Sequence, residues 1–478
     1  MSANSSGHAG KRIKRGWIVA VVVAVAASLG CAMTTRLFGS SPPLEQTAAV
    51  PQKTPLQAAT RAGTRIPVTG QDLSPETRRG LIVYQGADGN IYTIDGKGQQ
   101  KTAITQDANL NPGSGETGRV YQYPTWAPDG RTLAYLVFTR DAAKGSQAGV
   151  YTASSDGKNR VEAFSSQEAF PFYLFWSPNS DFLSFLSNAA GGGELALYLA
   201  PAAGGEAKVI GTGQPYYWDW APDNRSIITH TGGAASSNAR AQITLLEVNG
   251  PAHTTKLDLK PGLFQAPDWS PAGDDLALLT ESASGGEELI VVGKEGRVKT
   301  VLAKVSGQAF FAWSPKGNSL AYLSDLEGDT TGVQKRLALI DPARPEEKQD
   351  VAKGIIVAYF WSPDGRKIAF FLINPKDQGG AQNIAQTQSK IVVQIQIYNV
   401  DTGEIRQAAA FIPTDAFIQI FTYFDQYQRS GTIWSPDSKN VVYAGVDASV
   451  GPGIYVASAE GGSAQKIAAG DLAFWSWK

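Results

Sequence analysis

Short apolar runs recur along the second four-fifths of this chain at one fixed place, just after a polar turn. Leu133-Ala-Tyr135, Leu183-Ser-Phe185, Leu276-Ala-Leu278, Leu320-Ala-Tyr322 and Val441-Val-Tyr443 occupy that place, and Ile368-Ala-Phe-Phe371 extends it. Large residues flank a middle position that is usually small, which suits strands packed closely between neighbouring sheets. A second β-rich run follows each, among them Gly149–Ala153, Leu195–Leu199, Ile290–Val292, Leu337–Ile340 and Ile454–Ala457. Turn signals such as Ser155-Asp-Gly157 and Asp401-Thr-Gly403 come next. No segment after residue 80 shows strong helical periodicity.

The turn before each apolar run is itself a repeat. It reads Trp126-Ala-Pro-Asp-Gly130, Trp176-Ser-Pro-Asn-Ser180, Trp220-Ala-Pro-Asp-Asn224, Trp269-Ser-Pro-Ala-Gly273, Trp313-Ser-Pro-Lys-Gly317, Trp361-Ser-Pro-Asp-Gly365 and Trp434-Ser-Pro-Asp-Ser438, and Trp475 stands near the end. The spacings are 50, 44, 49, 44, 48, 73 and 41 residues. Proline presets φ for a turn, and Asp, Asn and Gly suit the positions after it. A period of about 40–50 residues marks one supersecondary unit repeated in an array. Four short strands fill such a period, which makes each unit a propeller blade.

The ends complement each other. Leu81–Tyr84, Asn90–Ile94 and Lys101–Ile104 predict three strands with no Trp strand before them, and Leu472–Trp477 is a Trp strand with nothing after it. Pairing them would close the array and remove exposed edges. The expected fold is all-β: an eight-bladed β-propeller of four-stranded antiparallel blades over 79–478, closed by the C-terminal strand. The eight repeat Trp residues are expected as buried inter-blade packing.

These WSPDG-type turns resemble the WD40-like propeller repeats of the TolB-type family, which also occur in the propeller halves of prolyl-oligopeptidase-like peptidases. The resemblance covers roughly four-fifths of the chain. It implies the fold and a tendency toward protein binding. TolB carries a small α/β domain before its propeller, and residues 34–78 are too short and polar for one. No counterpart of the peptidases' hydrolase domain is expected within these residues.

The amino-terminal segment has a different character. Residues 1–15 end in Lys11-Arg-Ile-Lys-Arg15, and 16–33 are uncharged and largely apolar. Basic residues before an apolar run orient the amino terminus inside. Residues 1–15 are thus expected as a cytoplasmic tail and 16–33 as a transmembrane anchor or lipoprotein-type signal. Cys31, the single cysteine, lies at the end of that run, and Ala27-Ser-Leu-Gly-Cys31 resembles a bacterial lipoprotein processing box. Lipidation at Cys31, an uncleaved anchor and simple secretion all remain open, and the first two deliver a tethered propeller to the extracytoplasmic (periplasmic or external) side. Residues 34–78, with Pro42, Pro43, Pro51, Pro55 and Pro67, are expected as a disordered linker.

Charge adds one exclusion. Residues 1–78 hold nine Lys/Arg and three Asp/Glu of the chain's 42 and 43, which leaves 33 against 40, or −7, for the propeller. A mildly acidic surface without a basic cluster argues against nucleic acid. No metal-ligand spacing, Cys pair or Gly-x-Ser-x-Gly elbow is present. Gly113-Ser-Gly-Glu-Thr-Gly118 matches a dinucleotide fingerprint in letters but lacks the βαβ context and is expected as an inter-blade loop. His230 is expected as a solvated loop residue. Asp219 and Asp268 each precede a repeat Trp, and no ring of ligands forms around them. No catalytic residue, cofactor or metal is expected, and the chain is not expected to be an enzyme.

The 73-residue gap holds two insertions. Asn374–Ser389 is polar, and 411–427 carries Phe411, Phe417, Phe421, Tyr423, Phe424 and Tyr427. In a blade both connections emerge at one end. These six aromatics are candidates for binding a protein partner of the cell envelope or a membrane complex, or for capping the core of a widened blade. Thr414 or Asp415 could cap a short helix there, though strand alternation fits as well. The expected role is a membrane-tethered binding or assembly module. Small-ligand or glycan binding at the channel mouth, by Tyr216, Tyr217, Trp218 and Asp219, is the alternative, and an enzyme with its active site in the axial channel is a third reading.

Overall fold

The computed structural model describes residues 65–66, 80–189, 193–248, 253–375 and 391–478. The expectations for residues 1–33, Cys31, most of 34–78 and nearly all of the insertion at 374–389 lie outside them. Within the linker, Arg65–Ile66 forms a short strand, Arg65 opposite Val161 and Ile66 opposite Arg160, on the outer edge of the first repeat's sheet. Among the described residues no helix is long and apolar enough to cross a membrane.

The chain is mostly strand, in antiparallel sheets that each follow one repeat in sequence order. The sheet of Trp176 is representative: Phe172–Trp176, Phe182–Asn188, Leu195–Pro201 and Lys208–Gly213 pair successively. The Trp strand is innermost and, after its exposed first residue Phe172, buried, and the last strand is the most exposed. At the ends of the chain, Gly470–Trp475 pairs with Leu81–Gly86, with Ile82 opposite Trp475 and Tyr84 opposite Ala473. Leu81, Ile82, Val83 and Tyr84 are all buried, so the joint belongs to the core.

Two sheets depart from the repeat. Arg344–Trp361 is one continuous strand that serves two repeats. Its first part pairs with Lys335–Asp341 as the outer strand of the Trp313 sheet, and its last part pairs with Lys367–Ile373 as the inner strand of the Trp361 sheet. Gly354, at φ +152°, sits at the changeover. The Trp434 sheet has three strands, Asn440–Asp447, Gly451–Ser458 and Gln465–Ala468, and Trp434 joins it by a single bridge to Val441. The residues before Trp434 are wound into two helices, α1 (Asp415–Thr422) and α2 (Phe424–Ser430), where no helical period was evident.

The repeat residues tie neighbouring sheets together. All eight repeat Trp side chains are buried. Four indole N–H groups reach the carbonyl just before the Trp of the preceding sheet: Trp126 to Phe474 (3.3 Å), Trp313 to Asp268 (3.3 Å), Trp361 to Ala312 (3.2 Å) and Trp434 to Phe360 (3.1 Å). Trp220 donates instead to Ser184 Oγ at 2.9 Å, at the small position of the preceding sheet's apolar run. Indole thus supplies both apolar area and a directional bond.

The fifth motif position is left-handed in all seven turns, from φ +58° at Ser438 to +75° at Gly273. Glycine takes this conformation without penalty. Where it is absent, the side chain joins the adjacent turn. Asp129 N donates to Ser180 Oγ (3.1 Å), Asn179 N to Asn224 Oδ1 (2.6 Å) and Asp364 N to Ser438 Oγ (3.1 Å).

Candidate functional site

The segment after the strand Ile405–Phe411 turns inward. Thr414 caps α1, its hydroxyl accepting from Phe417 N at 3.2 Å, and Asp415 lies in the first turn where a helix favours negative charge. Tyr423 separates α1 from α2, and the Gly431 N–H closes α2 on the Tyr427 carbonyl. The helices meet inner strands from several sheets. α1 packs on Gly470–Trp475 and Asn440–Asp447, and α2 packs on Phe172–Trp176, Ala309–Trp313 and Arg344–Trp361.

Aromatic contacts fix that position. Phe371 meets Phe417 at 6.0 Å and Phe421 at 4.7 Å, and Phe424 lies between Phe310 (5.1 Å) and Tyr359 (5.2 Å). Tyr173 and Tyr123 both face Tyr427, and Tyr173 Oη donates to the Gln426 carbonyl at 2.6 Å. Tyr123 Oη bonds Gln419 Oε1, and Thr125 Oγ1 donates to the Ser430 carbonyl. Of the six aromatics expected in an interface, Phe411, Phe417 and Phe424 are buried, Phe421 and Tyr427 are half-buried, and only Tyr423 is exposed, at 51%. The insertion is a plug among the inner strands.

The plug carries one cation into this core. Arg429 Nη1 lies 2.8 Å from Asp219 Oδ2 and 2.6 Å from Asp268 Oδ1, and its Nε donates to the Asp425 carbonyl at 2.9 Å. Each aspartate also holds the next sheet: Asp219 accepts from Trp269 N at 2.9 Å and Asp268 from Trp313 N at 2.6 Å. Asp425 accepts from Ala266 N at 3.0 Å. Two carboxyls and one backbone carbonyl thus hold one buried guanidinium, with the Asp425 carboxyl on the same helix turned to Ala266. Burial raises Asp268 to about 7, with Arg429 opposing the shift and Asp219 adding to it. Burial likewise raises Asp425 to about 6 and Asp219 above its ordinary value, against the pull of Arg429. The arrangement is an electrostatic clasp, with Arg429 where a bound cation would otherwise be needed.

The mouth candidates are inside this construction. Tyr216, Tyr217, Trp218 and Asp219 are all buried. Trp218 Nε1 donates to Ser184 Oγ at 2.8 Å, and Tyr217 stacks on Phe264 at 4.0 Å. His230 is a correction: it is fully buried at the end of the strand Ser226–Thr231, its ring nitrogens 3.0 Å from the Gln265 carbonyl and 3.1 Å from that of Gly233. Burial lowers its pKa. Gly113–Thr117 lies in the loop before the strand Gly118–Trp126. Arg429 escaped the sequence reading. Two aspartates at inner positions of adjacent repeats were the available signal, since buried carboxylates require a counter-charge.

No protein-family model matches the chain. An uncharacterized protein of Agrobacterium fabrum (strain C58) is 24% identical over 268 residues, covering 53% of this chain and 85% of that protein. Among solved structures, a prolyl endopeptidase shares 12% identity at a TM-score of 0.50, over 74% of this chain and 50% of its own. Oligogalacturonate lyase in complex with manganese shares 15% identity at a TM-score of 0.48, over 83% of this chain and 97% of its own. TolB from Acinetobacter baumannii is also among the neighbours, at 16% identity and a TM-score of 0.35 over 75% of this chain and 82% of its own. The neighbours include propeller proteins, TolB-like ones among them, and the likeness concerns the fold. It also corrects one expectation. Because a prolyl endopeptidase stands among the neighbours, missing sequence motifs do not remove this chain from the enzymes.

Proposed function

We propose that the chain is a closed eight-bladed propeller, tethered to a membrane by residues 16–33 or by lipid at Cys31, that binds a protein partner of the cell envelope. Seven Trp-turn repeats and the composite sheet of Leu81–Gly86 with Gly470–Trp475 support the blade count and the closure. The basic residues before the apolar run support the tether and an extracytoplasmic propeller.

One observation carries the binding role. Of ten exposed large apolar residues among those described, six stand at the end of the sheets that holds the plug and the connections between repeats, while Val209, Val298, Val301 and Ile405 lie on outer strands. Leu110, Phe170, Phe172 and Leu263 stand in or beside those connections, Tyr423 tips the plug, and Val450 tips a hairpin at that same end. Side chains tie two of these connections to the sheet that follows each: Phe170 N donates to Asn188 Oδ1 at 3.0 Å and Leu263 N to Glu287 Oε1 at 2.7 Å. Exposed apolar groups gathered at one end suit a protein interface. The filled centre turns recognition outward.

The test is capture from envelope membranes by the full chain, with Phe172→Ser/Tyr423→Ser beside it. Both side chains are exposed, so the variant keeps its melting temperature. Loss of a specific partner, identified by mass spectrometry, supports the reading, and identical capture overturns it. The mass of the amino-terminal peptide separates lipid at Cys31 from an intact anchor.

A further inference from the structure

A cleft of about 240 Å³ opens in the Trp126 sheet, beside the loop that enters it from the composite sheet. Arg119, Arg160, Tyr151, Glu162, Ser165 and Asp107 supply its polar wall. Gly149 forms its floor for a steric reason. A Cβ there would stand 2.9 Å from the Phe164 carbonyl oxygen and 3.0 Å from the Tyr151 ring.

Arg160 is the unusual member. Only 7% exposed, its guanidinium lies over the Tyr121 ring at 5.3 Å and the Tyr151 ring at 4.8 Å. Its Nη2 donates to Tyr121 Oη at 3.1 Å, and the nearest carboxylate oxygen, on Asp107, is 3.9 Å away. Its Nε, the Arg119 Nε and the Tyr135 hydroxyl are buried and have no partner among the described residues. A structural buried arginine is normally satisfied by a close, bidentate carboxylate. Here Glu162 is turned aside, accepting from Ser165 Oγ at 2.7 Å and bonding the Tyr151 hydroxyl.

Asp107 stands where an external anion would. It comes from the entry loop, its side chain is 48% exposed, and its carboxylate bonds Arg119 and the Tyr121 hydroxyl. Burial works against its ionisation, but Tyr121 and Arg119 outweigh that and hold its pKa below the ordinary range.

We propose that this cleft binds a small organic carboxylate, whose anionic group takes the place of Asp107 on Arg119, Arg160 and Tyr121. Asp107 is an internal placeholder that swings out as the ligand enters. The volume lies below the roughly 300–1,000 Å³ of sites for larger ligands, so the occupant is small.

Calorimetric titration of the full chain with succinate tests this, with succinamide and inorganic phosphate alongside. Succinate binds and succinamide does not. Asp107→Asn binds succinate about tenfold tighter, because the competing carboxylate is gone. Arg160→Met loses binding. Arg119→Gln, at a partly exposed side chain, keeps the native melting temperature and binds at least about fivefold more weakly. Failure of Asp107→Asn to bind succinate, unchanged affinity in Arg119→Gln, or binding of phosphate in place of succinate overturns the assignment.

Discussion

Arg429 donates to Asp268 at 2.6 Å from 161 residues further along the chain, and the same nitrogen also reaches Asp219. One guanidinium therefore joins a late insertion to the inner strands of two adjacent sheets. Removing it leaves two carboxyls buried without a counter-charge. Arg429→Met is expected to cost about 3–5 kcal/mol at neutral pH. Urea unfolding measures this. Adding Asp219→Asn and Asp268→Asn to that variant should recover much of the loss, whereas three additive penalties would contradict the clasp.

The same site sets a pH dependence. Asp268 and Asp425 hold protons in the folded state up to about 7 and about 6, against about 3.9 in an unfolded chain. Between those values the folded state binds more protons, so this contribution is fully present below about 4 and is lost as pH rises through 6 to 7. His230 has the opposite sign. Its folded pKa is depressed, so its contribution is present above about 6.5 and is lost on acidification. Asp268→Asn should therefore flatten the fall in melting temperature between pH 5 and pH 7.5. A steeper fall in the variant would refute the assignment.

Indole bonds make the repeat Trp residues unequal. Trp434 donates to the Phe360 carbonyl, whereas the indole nitrogens of Trp176 and Trp269 have no partner among the described residues. Trp434→Phe loses packing and a buried bond, for about 2–4 kcal/mol. Trp269→Phe loses packing alone and should cost about 1 kcal/mol less. Equal midpoints for the two variants in chemical denaturation would remove the bond from the account.

At the turns, Ser438 holds a left-handed backbone and accepts from Asp364 N. Ser438→Ala keeps the backbone strain and loses the bond, costing about 1–2 kcal/mol. Ser438→Gly loses the bond but relieves the strain, and should be nearly neutral. Thermal melts of the pair distinguish the two terms by their order.

The repeats were legible because their chemistry is local. Proline, the left-handed fifth residue and the small residue in the next strand lie within ten positions of each Trp, and Leu81–Tyr84 and Leu472–Trp475 showed matching gaps. The plug was not legible for two reasons. Its helices span eight and seven residues, too few for an apolar stripe to separate from strand alternation. Its aromatics read equally as surface or core until Phe371, Phe310 and Tyr359 surround them, and those partners come from three other strands. The bond between Arg429 and Asp219 depends on the sheets already standing side by side. The buried Tyr216–Asp219 strand looked open for the same reason, since its cover, α2, is supplied from far along the chain.

The joint between Leu81–Gly86 and Gly470–Trp475 also dictates an order of events during synthesis. Leu81–Gly86 emerges early, yet its partner Gly470–Trp475 is made far later in the chain. While the remainder is being built, Leu81–Tyr84 must wait as an unclasped apolar edge, open to pairing with a neighbouring nascent chain. A carboxy-terminal truncation of only nine residues would make that temporary exposure permanent.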